Sequence, residues 1–239
     1  MELIDFLINY STILKTATFS RCFPLFNFIY MKSPLIKWLV LSIALILITE
    51  IFKKTIHFDT LVYNSLSEQL TSQQVKKFLG FQKKWQWFGY LFISVFLLIK
   101  TIIIATILYI GLFFFNKDIK LNHLWDIALK GEFIFLLVIV FKIIWFYFFQ
   151  PNYNLTDIQN FYPLSALNIV GYKDLEIWFL YPFQTLNLFE VVYVIYLGNQ
   201  VGKLINTNTD HGLKLVAFSY LPALLLWVVT IMFLTLSYS

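Results

Sequence analysis

Five stretches of this chain are too long and too apolar for the interior of a soluble domain: 35–52, 87–115, 131–149, 177–197 and 215–236. An apolar run of about 18 or more residues reads as a membrane span, because a helix rises about 1.5 Å per residue and must cover about 30 Å of hydrocarbon. Lipid offers no hydrogen bonds, so a spanning segment must satisfy its own backbone groups and forms a helix. The expected fold is therefore all-α, a polytopic transmembrane helical bundle with about five spanning helices over 35–239. An interfacial N-terminal segment over 1–34 precedes it.

Composition agrees. Of 239 residues 59% are hydrophobic, only 13% are charged, and mean hydropathy is +0.74. Soluble domains carry about 25% charged residues, so this chain lacks the charge to coat a water-exposed surface, and the lipid bilayer is its expected partner. The net charge of +5 includes a single arginine, Arg21. Nucleic-acid readers rely on Arg for phosphate and guanine contacts, and these lysines flank apolar runs instead, where lipid headgroups lie. No nucleic acid is expected. Cys22 is the sole cysteine, so no internal disulfide forms. Residues 1–10 carry Glu2 and Asp5 and no basic stretch, which argues against a cleavable signal.

Between the runs, Lys53-Lys54 stops the first span. Thr71 with Gln74 three places on makes a capping box, followed by Val75, Phe78 and Leu79 at helical spacing among Lys76, Lys77, Lys83 and Lys84. That pattern predicts a short amphipathic helix lying on the membrane. Residues 116–130 read as a polar turn and 198–214 as a polar loop. The stretch 161–171 is apolar but too short to cross; it is either an interfacial helix or a re-entrant piece covered by protein. Trp85, Trp87, Trp125, Trp145 and Trp178 fall near span ends, as aromatic belts do. Gly198 and Gly202 form a small-xxx-small pair.

Ionisable groups at bilayer depth are costly and are usually functional or paired. Lys100, Lys142 and Glu190 qualify, whereas Glu132 sits at a span end. Lys100 and Glu190 each lie about 13 residues from the same side, so they are expected to pair; Lys142 lies about 10 Å from that side and can reach a headgroup. Gln184, Asn187, Glu190 and Tyr193 recur every three residues, which places them on one helix face turned into the bundle. This intramembrane polar seam of Lys100, Lys142, Gln184, Asn187, Glu190 and Tyr193 has two readings: a structural device that fixes helix partners, or a substrate or proton path.

No catalytic, cofactor or metal site is expected. His57, His123 and His211 have no second ligand at metal spacing, no HExxH or G-x-S-x-G occurs, and no Gly-rich loop is present to cradle phosphate.

The last third resembles the bacterial branch of the Yip family of five-span proteins. The resembling residues are Tyr162-Pro-Leu-Ser-Ala-Leu-Asn-Ile-Val-Gly171, then Leu186-Asn-Leu-Phe-Glu-Val-Val-Tyr193, then Leu197-Gly198 through Gly202. The Asp-Leu-Tyr-Gly-Pro signature of the eukaryotic members has no counterpart here. The resemblance implies a non-enzymatic scaffold or interaction partner without cofactors, whose partners are other membrane proteins or further copies of itself. It also implies an N-in, C-out orientation, which loop lysines, nearly balanced between the two sides, do not decide. The expected location is the bacterial inner membrane. The alternative is a transporter or permease subunit using Lys100 and Glu190.

Overall fold

The computed structural model of the chain describes residues 33–173 and 175–238, and the expected N-terminal interfacial segment lies outside them apart from its last two residues. All the described regular elements are helical, and four helices are long and apolar enough to cross a membrane: Pro34–Thr55, Gln86–Phe114, Leu121–Phe149 and Thr209–Tyr238. The chain is a multi-pass helical membrane protein.

Helix α1, Pro34–Thr55, begins with proline at a position where the missing N–H costs nothing, and ends with Lys53 and Lys54 in its last turn, where cations meet the carbonyl end of the helix. Two short helices follow, α2 (Phe58–Ser67) and α3 (Ser72–Lys84). The Thr71 N–H donates to Gln74 Oε1 at 2.9 Å, as the Thr-x-x-Gln spacing predicts. Phe78 and Phe81 stand exposed on α3 among its lysines.

Helix α4, Gln86–Phe114, buries Leu97, Thr101, Ile104, Ala105, Leu108, Gly111 and Leu112 along one side. It turns back through residues 115–120 into α5 (Leu121–Gly131) and α6 (Phe133–Ile144), which a π-helical turn at Trp145–Phe149 closes. The expected polar turn at 116–130 is therefore mostly helix. Leu124, Ile127 and Ala128 recur at one face of α5 and are buried against neighbouring helices. This face supplies the hydrophobic stripe, and Asn122, His123 and Lys130 dilute the hydropathy of the window around it.

Short helices α7 (Leu155–Asn160) and α8 (Leu167–Val170) lead into α9 (Ile177–Thr185) and α10 (Leu188–Leu204). The expected continuous span at 177–197 is not continuous: the helix breaks at Leu186–Asn187. The two halves together run antiparallel along α11, Thr209–Tyr238. Tyr181 of α9 accepts a hydrogen bond from Trp227 Nε1 at 2.8 Å, and Gly198 of α10 sits against Leu213. The α10–α11 turn is built on small residues. A Cβ at Gly212 would stand 2.0 Å from the carbonyl oxygen of Gly198, and one at Gly202 would stand 2.7 Å from that of Asn208. The Gly198/Gly202 pair thus packs helix against helix.

The main core joins Ile104, Leu108 and Leu112 of α4, Leu124 and Ala128 of α5, Tyr193, Leu197 and Val201 of α10, and Val216 and Tyr220 of α11. A smaller cluster of Leu41, Leu97, Leu129 and Leu136 seats α1 on α4–α6. Outward faces of the long helices are apolar, with Leu47, Phe96, Phe113 and Leu225 exposed, the pattern of a surface solvated by lipid.

Candidate functional site

The helix break is where this chain departs most from a simple bundle. Interrupting a helix frees backbone N–H and C=O groups, and inside a membrane those groups need partners. The stretch at 164–166 supplies them. The Ala166 N–H donates to the Leu186 carbonyl at 2.8 Å, and the Leu188 N–H donates to the Leu164 carbonyl at 3.0 Å. Ser165 and Asn187 face each other in this isolated antiparallel bridge, and both are buried. Within 161–171, Pro163, Ser165 and Leu167 are buried, whereas Asn168, Ile169, Val170 and Gly171 are exposed and Leu167–Val170 is helical.

Asn187 organises the break. Its Oδ1 accepts the Glu190 N–H at 2.8 Å, capping α10, while its Nδ2 donates to the Gln184 and Thr185 carbonyls at 2.9 and 3.0 Å. One amide thus serves the last carbonyls of α9 and the first turn of α10. Pro182, inside α9, accepts from the Leu186 N–H at 3.0 Å and helps end that helix.

The break forms one wall of a chamber of about 1410 Å³ that is open along its outer side, where Ile169, Leu186, Val191 and Leu225 are exposed. Phe141 of α6, Trp145 of the π-helical turn, Pro163 and Ile169 beside the bridge, and Leu224 and Val228 of α11 supply other walls. Its lining is almost wholly apolar, and Glu190 is the one ionisable side chain in it. The Tyr220 hydroxyl of α11 donates to Glu190 Oε1 at 2.6 Å.

The expected seam is rearranged. Lys100 does not pair with Glu190; its Nζ donates to Glu132 Oε2 at 2.9 Å and sits 4.2 Å from the centre of the Phe135 ring. Glu132, assigned above to an accommodating span end, is buried, because the helix it belongs to begins ten residues earlier, at Leu121. Glu190 instead finds its partner in Tyr220. Nor do Gln184, Asn187, Glu190 and Tyr193 share one helical face, since the break falls between the first two. Gln184 of α9 donates to the Asn160 carbonyl at 3.4 Å, and Lys142 of α6 donates to the Ile158 carbonyl at 3.4 Å and lies over the Tyr162 ring. Those two side chains hold the C-terminal end of α7 and Tyr162 just beyond it rather than headgroups. Tyr193 is fully buried against Gly131, Phe135 and Tyr220, and its hydroxyl and Glu132 Oε1 have no hydrogen-bond partner among the described residues.

A second polar cluster was not anticipated. Lys37 of α1, almost wholly buried, bonds to Asp126 of α5, which also holds Lys130 at 2.7 Å. Next to it Trp125 Nε1 donates to Thr101 Oγ1 at 3.1 Å, so this tryptophan is an internal strut and not part of an interfacial belt. The signal was available: Asp126 and Lys130 stand four apart on the amphipathic stripe of α5. Among the described residues, no group of three His, Cys, Asp or Glu side chains is placed to hold a metal ion.

Comparison with protein-family models, with curated proteins and with solved structures finds no match to this chain. The geometry of the chamber is the ground on which its function is read.

Proposed function

We propose that this is a non-enzymatic membrane protein of the transporter type, which holds an apolar or amphipathic small molecule in the chamber between α6, the broken α9–α10 pair and α11. The observation that carries this reading is the bridged helix break in the chamber wall. Non-helical backbone at membrane depth is found where protein buries it or where it lines a cavity, and discontinuous helices are a recurring way to build a binding site near the midplane. Simple helix association needs no such break. The polar groups of the break turn inward to the bridge, which leaves an apolar space with one acid.

The reading is tested by quenching of Trp145, which lines the chamber. The protein, in nanodiscs of phosphatidylcholine, is titrated with 12-bromododecanol, and the Trp145 contribution is the difference between wild type and Trp145→Phe. Occupation of the chamber gives a saturable component, which Val191→Phe combined with Leu224→Phe removes by filling the space. Quenching that rises only in proportion to the probe in the bilayer would sink the reading.

A second reading is a Yip-like scaffold of the bacterial inner membrane. The sequence pattern of the last third supports it, and so does the ion-pair framework that joins α1, α4, α5 and α6. It expects the doubly filled variant to fold and assemble as wild type does, with no saturable quenching in either.

A further inference from the structure

The lining of the chamber has hydrogen-bond acceptors to offer and almost no donors. Ser165 Oγ and Asn168 Nδ2 both donate to the Tyr162 carbonyl at 2.7 Å. Thr185 Oγ1 donates to the Tyr181 carbonyl at 2.9 Å, and Asn187 Nδ2 is held by the carbonyls at the end of α9. Trp145 Nε1 donates to Gln150 Oε1 at 3.2 Å, so every polar donor atom of the lining side chains is committed to a nearby acceptor. What remains is Glu190 Oε2 and Asn168 Oδ1, neither of which takes a hydrogen bond from a described residue.

Charge points the same way. Glu190 receives a hydrogen bond from a neutral hydroxyl, that of Tyr220, and the nearby cation Lys100 is bonded to Glu132. The acid in the chamber wall therefore has no ion-pair partner in bonding contact among the described residues, and Lys100 acts on it only through space. A ligand that brings a positive charge and N–H donors would complete it, whereas an anionic head would meet an acid and bare acceptors. The α10 N-terminus does not reverse this preference, because the Asn187 cap and Glu190 itself already occupy its first turn.

Resting on the chamber reading above, we propose that the chamber selects hydrophobic amines, with the apolar body among Trp145, Leu224 and Val228 and the ammonium head on Glu190. The space of about 1410 Å³ is open on its outer side, so a long alkyl body can lie along it and extend toward lipid.

The test uses three probes that differ only in the head: 12-bromododecylamine, 12-bromododecanol and 12-bromododecanoate, each titrated near neutral pH into the same nanodiscs with the Trp145 readout. Wild type is expected to bind the amine at least about tenfold more tightly than the alcohol, the step from a neutral to a charge-assisted hydrogen bond. Glu190→Gln keeps the shape and should bring amine and alcohol within about twofold of each other while saturable alcohol binding persists. Glu190→Asp keeps the charge and should retain the preference, so a folding defect at this position is recognised. Equal binding of amine and alcohol by wild type, a preference that survives Glu190→Gln, or tightest binding of the carboxylate overturns the amine proposal and leaves the chamber standing. Absence of a saturable component for all three probes in wild type overturns both.

Discussion

Lys100, half-way along α4, is bonded to Glu132 at the α5–α6 junction, 2.9 Å from Nζ to Oε2, and the two side chains are unequally sheltered: the lysine is 46% exposed, the glutamate 5%. Exposure at that depth is exposure to lipid, where an isolated charge is unfavourable by about 2.5–3.5 kcal/mol even on the lenient insertion scale. Each group thus needs the other.

Lys100→Met should therefore destabilise the protein more than the loss of one ordinary hydrogen bond does, by about 3–5 kcal/mol, because it strands the buried carboxylate. Adding Glu132→Gln to the same chain should restore most of that. Reversible unfolding in mixed micelles measures all three variants. Additive losses from the two substitutions would mean that the pair contributes no coupling and that the charges are satisfied separately.

The seam was legible in part, and the reason lies in what a hydropathy window averages. Lys100 and Glu190 stand inside long apolar runs and are visible as charges within candidate spans. Glu132 was hidden because Leu121-Asn-His-Leu-Trp-Asp-Ile-Ala-Leu-Lys130 mixes one apolar face with three charged or imidazole groups, so its mean drops and the span looks as if it starts ten residues late. Reading the period rather than the mean, with Leu124, Ile127, Ala128 and Gly131 at helical spacing, recovers it. The break at Leu186–Asn187 carried its own local sign, Asn followed three residues later by Glu, which marks a helix start. Among apolar neighbours that spacing passes for a polar stripe on one helix. What no local pattern supplies is the partner at 164–166, about twenty residues away in the chain. Tyr220 as the donor to Glu190 is likewise a matter of which helices adjoin.

Asn187 is the side chain on which the break depends. Asn187→Ala removes the α10 cap and both bonds to the end of α9, and should lower stability by about 1–2 kcal/mol. Asn187→Asp keeps the capping oxygen but loses the donor, so it should fall between alanine and wild type. A melting temperature for Asp equal to that for Ala would place the contribution on the α9 side alone.

The glycines separate close approach from helix propensity. Gly212→Ala places a methyl against the Gly198 backbone and should force α10 and α11 apart, at about 1–3 kcal/mol. Gly80→Ala in α3 meets nothing within 4 Å and should stabilise that helix by about 0.5–1 kcal/mol. Thermal unfolding of the two variants beside wild type is expected to give shifts of opposite sign. A shift in the same direction for both would contradict the tight α10–α11 crossing.

The bridge itself can be trapped. Two hydrogen bonds flank Ser165 and Asn187, from Ala166 to Leu186 and from Leu188 to Leu164, so the residues between them form the narrow, non-hydrogen-bonded pair of an antiparallel bridge. Such pairs hold their Cα atoms about 4.5 Å apart, inside the range a disulfide spans. With Cys22 replaced by serine, Ser165→Cys and Asn187→Cys in one chain should cross-link readily under mild oxidation. Ser165→Cys with Leu188→Cys should not, since Leu188, the first residue of α10, is exposed whereas Ser165 and Asn187 are buried together. A protease site engineered between α8 and α9 makes the bond visible, as the two fragments stay joined until reduction. Equal cross-linking in both pairs would show a loose contact, and none in either would remove the bridge. The cross-link also asks whether the break moves. If amine release requires α9 and α10 to part from the 164–166 stretch, the oxidised protein should bind 12-bromododecylamine to the same extent as the reduced form but release it more slowly. Stopped-flow recovery of Trp145 emission after dilution into probe-free vesicles follows that rate, and equal rates would mean the break is a fixed wall.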